Sequence, residues 1–145
     1  RGLDLKEHEV REARNINRRP NVSFDVGDFF DLAKDAVFDV VVNLDVIEHL
    51  PEDEGERLVA RTTEHLRDNG MLVLGTPSIH SYPHQSALSQ AAHVHCYDMD
   101  DLVAMLQRHY GRVMRFSMND ELLHTGFSKL SWFYLLFAFY PRRER

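Results

Sequence analysis

Short apolar runs alternate along this chain with longer stretches in which apolar residues recur every three or four positions. Leu3 to Leu5 reads as the stub of a first strand. Lys6 to Asn17 is polar, with Val10, Ala13 and Ile16 at helical spacing, and predicts a helix. Pro20 and Asn21 break it. Val22 to Val26 alternates apolar and polar residues, which predicts a short strand ended by Gly27-Asp28. Phe38 to Leu44 packs β-branched residues densely enough to predict a strand buried on both faces, as in a parallel sheet. Pro51 then opens a helix. Its first turn carries Glu52, Asp53 and Glu54, where carboxylates meet the positive end of the helix dipole. Leu58, Thr62 and Leu66 share one face of it, and Asn69-Gly70 is its expected stop. Met71 to Thr76 predicts a further buried strand, ended by Pro77.

From Ser78 to Asp98 the chain is rich in Ser, His and Ala and shows no period. A loop this long in a compact domain is more often functional than not. Asp98 is placed to cap a helix whose Leu102, Met105 and Leu106 share a face and which Gly111 ends. Arg112 to Met118 and Ser131 to Tyr140 read as two final strands, with Asn119 to Lys129 as a surface loop between them. Alternating strands and helices indicate an α/β sheet with a parallel centre. The last two strands have no helix between them and are expected to pair antiparallel at the sheet edge. Ligands of such sheets bind beyond the carboxyl ends of the strands. That rule directs attention to Asp4, Asp28, Leu44-Asp45 and Thr76-Pro77.

Composition narrows the partners. The 145 residues make one domain or part of one, and an apolar fraction of 43% suits a packed core. The net charge of −6 disfavours a nucleic-acid partner, which asks for a basic face. Arg142, Arg143 and Arg145 read as a solvated tail. Cys96 is the one cysteine, so no internal disulfide forms, and a reducing cytoplasm suits the chain. The apolar run Trp132 to Tyr140 is far short of the roughly 20 residues of a membrane-spanning helix, so no span is expected. Arg1 leads straight into a strand, which reads as a piece of a longer protein.

Four blocks follow one another: Gly-Leu-Asp-Leu at 2–5, Val-Gly-Asp-Phe at 26–29, Phe-Asp-Val-Val-Val-Asn-Leu-Asp-Val-Ile-Glu-His-Leu at 38–50, and Asn-Gly-Met-Leu-Val-Leu-Gly-Thr-Pro at 69–77. In this order and spacing they resemble the second to fifth strands of class I S-adenosylmethionine-dependent methyltransferases. The tail, at 115–120 and 132–140, is similar to that fold's closing pair of strands. The resemblance implies a Rossmann-like α/β sheet, mostly parallel with an antiparallel C-terminal edge pair, without the first strand and its glycine-rich loop. It implies a single partial domain over 1–145. An absent central strand would leave Val40, Val42 and Leu3 uncovered, and exposed apolar surface of that kind promotes association. The resemblance further implies S-adenosyl-L-methionine as cofactor. Asp4, beside Leu5, would accept both ribose hydroxyl protons. The alternative for Asp4 is a helix cap. Asp28 would accept from the adenine amine with Phe29 against the ring. The alternative for it is a turn aspartate beside a core phenylalanine. Asn43, Leu44 and Asp45 would lie beside the methionine part.

Asp45, Glu48 and His49 share a face if the chain turns helical there. Such a group can orient a hydroxyl, act as a base, or hold a hard divalent ion. Some quinone-type O-methyltransferases resemble this arrangement. His80, His84, His93 and His95 crowd the long loop with Tyr82 and Tyr97, in the stretch that covers the acceptor pocket in the family. His49, His93 and His95 are therefore the candidate catalytic residues, because the histidine pKa lies near the working pH. A zinc site from His93 and His95 lacks the spaced Cys/His pairs that define one, so no metal is assigned. The expected reaction is methyl transfer to a small-molecule acceptor, through oxygen before nitrogen or carbon. A cofactor-free binding module and a metal-assisted enzyme using Asp45, Glu48 and His49 are the competing readings.

Overall fold

A computed structural model describes residues 1–119, 122–125 and 132–143. The chain divides into two compact units, Arg1–Ala36 and Val37–Arg145. In the first, strands β1 (Gly2–Asp4) and β2 (Phe24–Val26) pair in parallel around helix α1 (Glu7–Ile16). Gly2 lies opposite Phe24, and a Cβ there would come within 2.5 Å of the Phe24 ring. The glycine thus lets the aromatic ring lie across the neighbouring strand. Of the apolar residues at helical spacing in α1, only Val10 is buried, and Ile16 is exposed.

The second unit is a five-stranded mixed sheet. Its order is β3 (Phe38–Leu44), β4 (Leu66–Pro77), β7 (Phe133–Pro141), β5 (Tyr110–Asn119), β6 (Leu122–Thr125). β3 and β4 are parallel, and the remaining pairs are antiparallel. Two expectations are corrected here. The last strand is not at the edge but between β4 and β5. The stretch expected to be a loop from Asn119 contains β6, whose backbone pairs with β5 from Phe116 to Asn119. The rest of that stretch, and Ser131 and Arg145, lie outside the described residues. The α/β class stands, with an antiparallel part wider than a single pair.

Register explains which face holds the core. Val41, Leu72, Ala138 and Val113 form one row across four strands. Leu72 and Ala138 are buried, and Val41 and Val113 pack on the same cluster. Side chains on a strand alternate between faces, so every second residue joins them. Leu74, Tyr134 and Leu136 do so, and they meet Val59 of α2 (Glu52–Glu64) and Leu102, Met105 and Leu106 of α4 (Met99–His109). Asp98 caps α4 as expected, accepting from the Asp100 amide at 2.9 Å.

The opposite face is only partly buried. Val42, Val73, Phe137 and Met114 form its corresponding row. β3 was expected to be buried on both sides, but Val40, Val42 and Leu44 are 45%, 61% and 46% exposed. Two of the residues expected to be uncovered by an incomplete sheet, Val40 and Val42, are so, while Leu3 is half-buried. Asn69-Gly70 does not stop α2, which ends at Glu64, and Leu66 belongs to β4 rather than to the helix. Instead Arg67 to Gly70 form a bulge in β4, because Phe38 pairs with Leu66 but Val40 with Met71.

Exposed apolar strand surface of this extent drives association. Light scattering of the chain at rising concentration is expected to show oligomers, and Val42→Lys is expected to reduce them. Strictly monomeric behaviour of the unmodified chain would refute the inference.

Candidate functional site

The carboxyl ends of β1 and β2 form one rim. Asp4 pairs with Val26, and the Gly27 amide donates to the Asp4 carbonyl at 2.9 Å. Asp4 and Asp28 therefore stand on the same edge of their sheet. Asp4 Oδ1 accepts from the Lys6 amide at 2.7 Å, a short turn that is not the helix cap itself. Oδ2 has no hydrogen bond among the described residues. Leu5 is 70% exposed. Asp28 Oδ1 accepts from the Phe30 amide at 2.8 Å and starts a single 3-10 turn over Phe29–Asp31. Both aspartates are fixed by local backbone, which orients each carboxylate and leaves it accepting capacity.

In the second unit the carboxyl ends of β3 and β4 form another rim. Asn43 lies on the core-side face of β3, with a buried Oδ1 that has no hydrogen-bond partner. Leu44 lies across from Gly75, where a Cβ would come within 2.6 Å of Leu44 Cδ2 and 2.7 Å of the Phe133 ring. Asp45 follows with φ 53°, a left-handed conformation that non-glycine residues seldom adopt and that concentrates at functional turns. Its amide donates to the Gly75 carbonyl at 3.0 Å. The chain then makes a 3-10 turn over Ile47–His49.

That turn corrects one expectation. Asp45, Glu48 and His49 do not share a helical face, because Asp45 precedes the turn in a left-handed conformation. The residue that joins Glu48 and His49 is His93, whose ring centroid is 5.1 Å from that of His49. One ligand atom from each of Glu48, His49 and His93 lies within 4.8 Å of the others.

Glu48 is completely buried, and it holds this corner together. Its carbonyl accepts from the amides of Val94 at 2.8 Å and His95 at 3.1 Å, and its Oε2 accepts from the Thr76 hydroxyl at 2.9 Å. Burial pushes its carboxyl pKa up, and the Asp45 charge adds to the rise, while hydrogen bonds from Thr76 and backbone oppose it. Oε1 is buried with no hydrogen-bond partner. His49 Nδ1 lies 2.8 Å from the Ala92 carbonyl. A carbonyl only accepts, so Nδ1 carries a proton, and in the neutral ring the lone pair is on Nε2.

The segment expected to be an unbroken loop has structure of its own. Ile79–His84 is 3-10 helix and Ala87–Ala92 is a short helix, α3, capped by Ser86. His84 packs edge-on against Trp132, and His95 packs edge-on against Tyr97 with centroids 4.4 Å apart. His93 and His95 do not pair with each other as a zinc site would require. Tyr97 is buried and anchors the segment: a Cβ at Gly55 of α2 would collide with its hydroxyl. Burial, with the carboxylates of Glu52, Glu56 and Glu48, pushes the Tyr97 phenol up to about 12.

The sequence profile of the family described as a methyltransferase domain matches residues 1–70. No curated protein matches the chain in sequence. Among solved structures, a possible histamine N-methyltransferase from Thermotoga maritima superposes with a TM-score of 0.77 at 16% identity, over 96% of this chain and 72% of that one. The N-methyltransferase NodS from Bradyrhizobium japonicum, in complex with S-adenosylhomocysteine, gives 0.70 at 16% identity, over 97% and 65%. Magnesium protoporphyrin IX methyltransferase from Synechocystis, with S-adenosylhomocysteine bound, gives 0.68 at 18% identity, over 99% and 63%. The chain thus spans about two-thirds of the length of these structures. It has the fold of the class I S-adenosylmethionine-dependent methyltransferases, and its first 70 residues carry the sequence pattern of a methyltransferase domain.

Sequence reasoning found Glu48, His49, His93 and Thr76 separately but not their meeting, since His93 is 44 positions from His49 and no spacing rule links them. Nor did it find the fit of Tyr97 over Gly55. Gly55→Ala is expected to cost about 1–3 kcal/mol by overpacking. Tyr97→Phe, which removes an unpartnered buried hydroxyl, is expected to be nearly neutral and to relieve most of that cost. Additive effects in a double-mutant cycle of urea unfolding would contradict this packing.

Proposed function

We propose that both units belong to one methyltransferase domain that transfers a methyl group from S-adenosyl-L-methionine to a small-molecule acceptor, through an oxygen atom. The observation that carries the reading is the shared rim of Asp4 and Asp28, at the carboxyl ends of parallel strands, inside the stretch that matches the methyltransferase profile. When bound, S-adenosylmethionine supplies an electrophilic methyl on a sulfonium. Asp4 Oδ2 would accept from the ribose hydroxyls, with Leu5 beside it. Asp28 would accept from the adenine amine, and Phe29 would meet the ring. Asn43, Leu44 and Asp45 would hold the methionine part, and the buried Asn43 Oδ1 has no hydrogen-bond partner of its own.

The acceptor side is assigned to His49, His93 and His95. As the acceptor oxygen bonds to the methyl carbon, the carbon–sulfur bond breaks and the hydroxyl proton must leave. The basic Nε2 of His49 is suited to take it, and the protein otherwise works by alignment. The similar structures include N-methyltransferases. At below 20% identity they inform the fold and not the acceptor, so the preference for oxygen rests on the histidine-rich corner. Sugars, quinones and lipid-like metabolites are candidate acceptors. The charge balance disfavours a nucleic acid, and among the described residues no helix is long and apolar enough to cross a membrane.

Calorimetry with S-adenosylhomocysteine tests the assignment. Asp4→Ala removes a charged acceptor of two hydrogen bonds and is expected to weaken binding at least about tenfold. Equal affinity in the two proteins would take Asp4 out of its role.

A further inference from the structure

We infer that Glu48, His49 and His93 form a binding site for a first-row divalent cation. The donor set is one carboxylate oxygen and two imidazole nitrogens, the combination that zinc and non-haem iron sites use while keeping a coordination position open. One ligand atom from each side chain lies within 4.8 Å of the other two. Proximity alone would carry little. Three further features of the corner point to a cation.

The first is the tautomer of His49. Its Nδ1–H is committed to the Ala92 carbonyl, so in the neutral ring the lone pair sits on Nε2, 4.0 Å from Glu48 Oε1. Metal-bound histidines are oriented in this way, with the far ring nitrogen donating to a carbonyl. The second is Glu48 Oε1 itself, a fully buried carboxylate oxygen without a hydrogen-bond partner. At 4.0 Å these two atoms are too far apart to hydrogen-bond to each other. The third is His93, whose Nδ1 is likewise buried without a partner. The corner is built from outside the donor set as well. Thr76 holds the other oxygen of Glu48, and the amides of residues 94 and 95 bind the Glu48 carbonyl, which fixes His93 in the segment beside it. His49 is 44% exposed, so the open side of the site faces outward and can admit an oxygen ligand.

The cation would bind an acceptor hydroxyl and favour its ionised form, as bound cations do for water. That role rests on the proposed methyl transfer, whereas cation binding does not. When the cation is bound, Nε2 of His49 is a ligand and no longer the proton acceptor assigned above, and the hydroxyl proton goes to His95 or to solvent. Asp45 has no place among the ligands.

The test is titration of the metal-free chain with Co²⁺, read by its visible d–d absorption, with Zn²⁺ as competitor. Saturation at one Co²⁺ per chain is expected. His93→Ala and Glu48→Gln are each expected to weaken binding by at least about tenfold, and His84→Ala, outside the cluster, is expected to bind as the unmodified chain does. Absence of saturable binding, or equal affinity in a folded His93→Ala variant, would overturn the site. His93 is half-buried, so its variant decides the matter if the buried Glu48→Gln variant fails to fold. S-adenosylhomocysteine affinity measured alongside separates the two readings: its loss with Co²⁺ binding intact refutes the methyl-transfer reading and leaves the cation site standing.

Discussion

The second unit is organised around one buried carboxylate residue at the end of its parallel strands. Glu48 sits in a 3-10 turn that follows the left-handed Asp45. Its main-chain carbonyl draws in the amides of Val94 and His95, and its side chain takes the Thr76 hydroxyl from the end of β4. Three segments far apart in sequence are joined by these bonds. Burying a carboxylate costs several kcal/mol unless its oxygens are satisfied, so a residue of this kind persists only where the surroundings supply partners. Here one oxygen accepts from Thr76 and the other has no hydrogen-bond partner, with His49 and His93 beside the carboxylate. The stability of the corner and its chemistry therefore depend on the same side chain.

The sheet beneath it has two unlike faces. α2 and α4 cover one, where Leu72, Leu74, Leu136 and Ala138 are almost wholly buried. The other carries Val40, Val42 and Leu44 in the open. A strand of the composition of β3 normally lies within a sheet, yet Val40 and Val42 are exposed here. The first unit is equally economical, with two three-residue strands and a single buried residue on α1.

Much of this was legible from the pattern of residues. The dense valines at 40–42 located β3 to the residue, and Asp98 marked the start of α4, because β-branched runs and capping aspartates act locally. Local rules failed where tertiary pairing decided the outcome. Gly70 has the look of a helix stop, yet it serves a strand bulge set by register against Phe38 and Val40. The short strand at Leu122–Thr125 has no apolar alternation and exists by pairing with β5. The reach of β7 between β4 and β5 depends on sheet order, which no local signal encodes. At the candidate site the rim aspartates were legible because a strand end followed by a helix fixes their place. His93 was legible only as one of several loop histidines, since its meeting with Glu48 depends on the backbone bonds of residues 94 and 95.

The tie that Glu48 makes is tested most directly by amide hydrogen exchange at Val94 and His95. If Glu48 ties the histidine segment to the strand ends, both amides are strongly protected in the unmodified chain. Protection at these two positions then falls in Thr76→Val, where the Glu48 side chain loses its hydroxyl partner, while the amides of β4 and β7 stay protected. Rapid exchange at Val94 and His95 in the unmodified chain would show that no such tie exists.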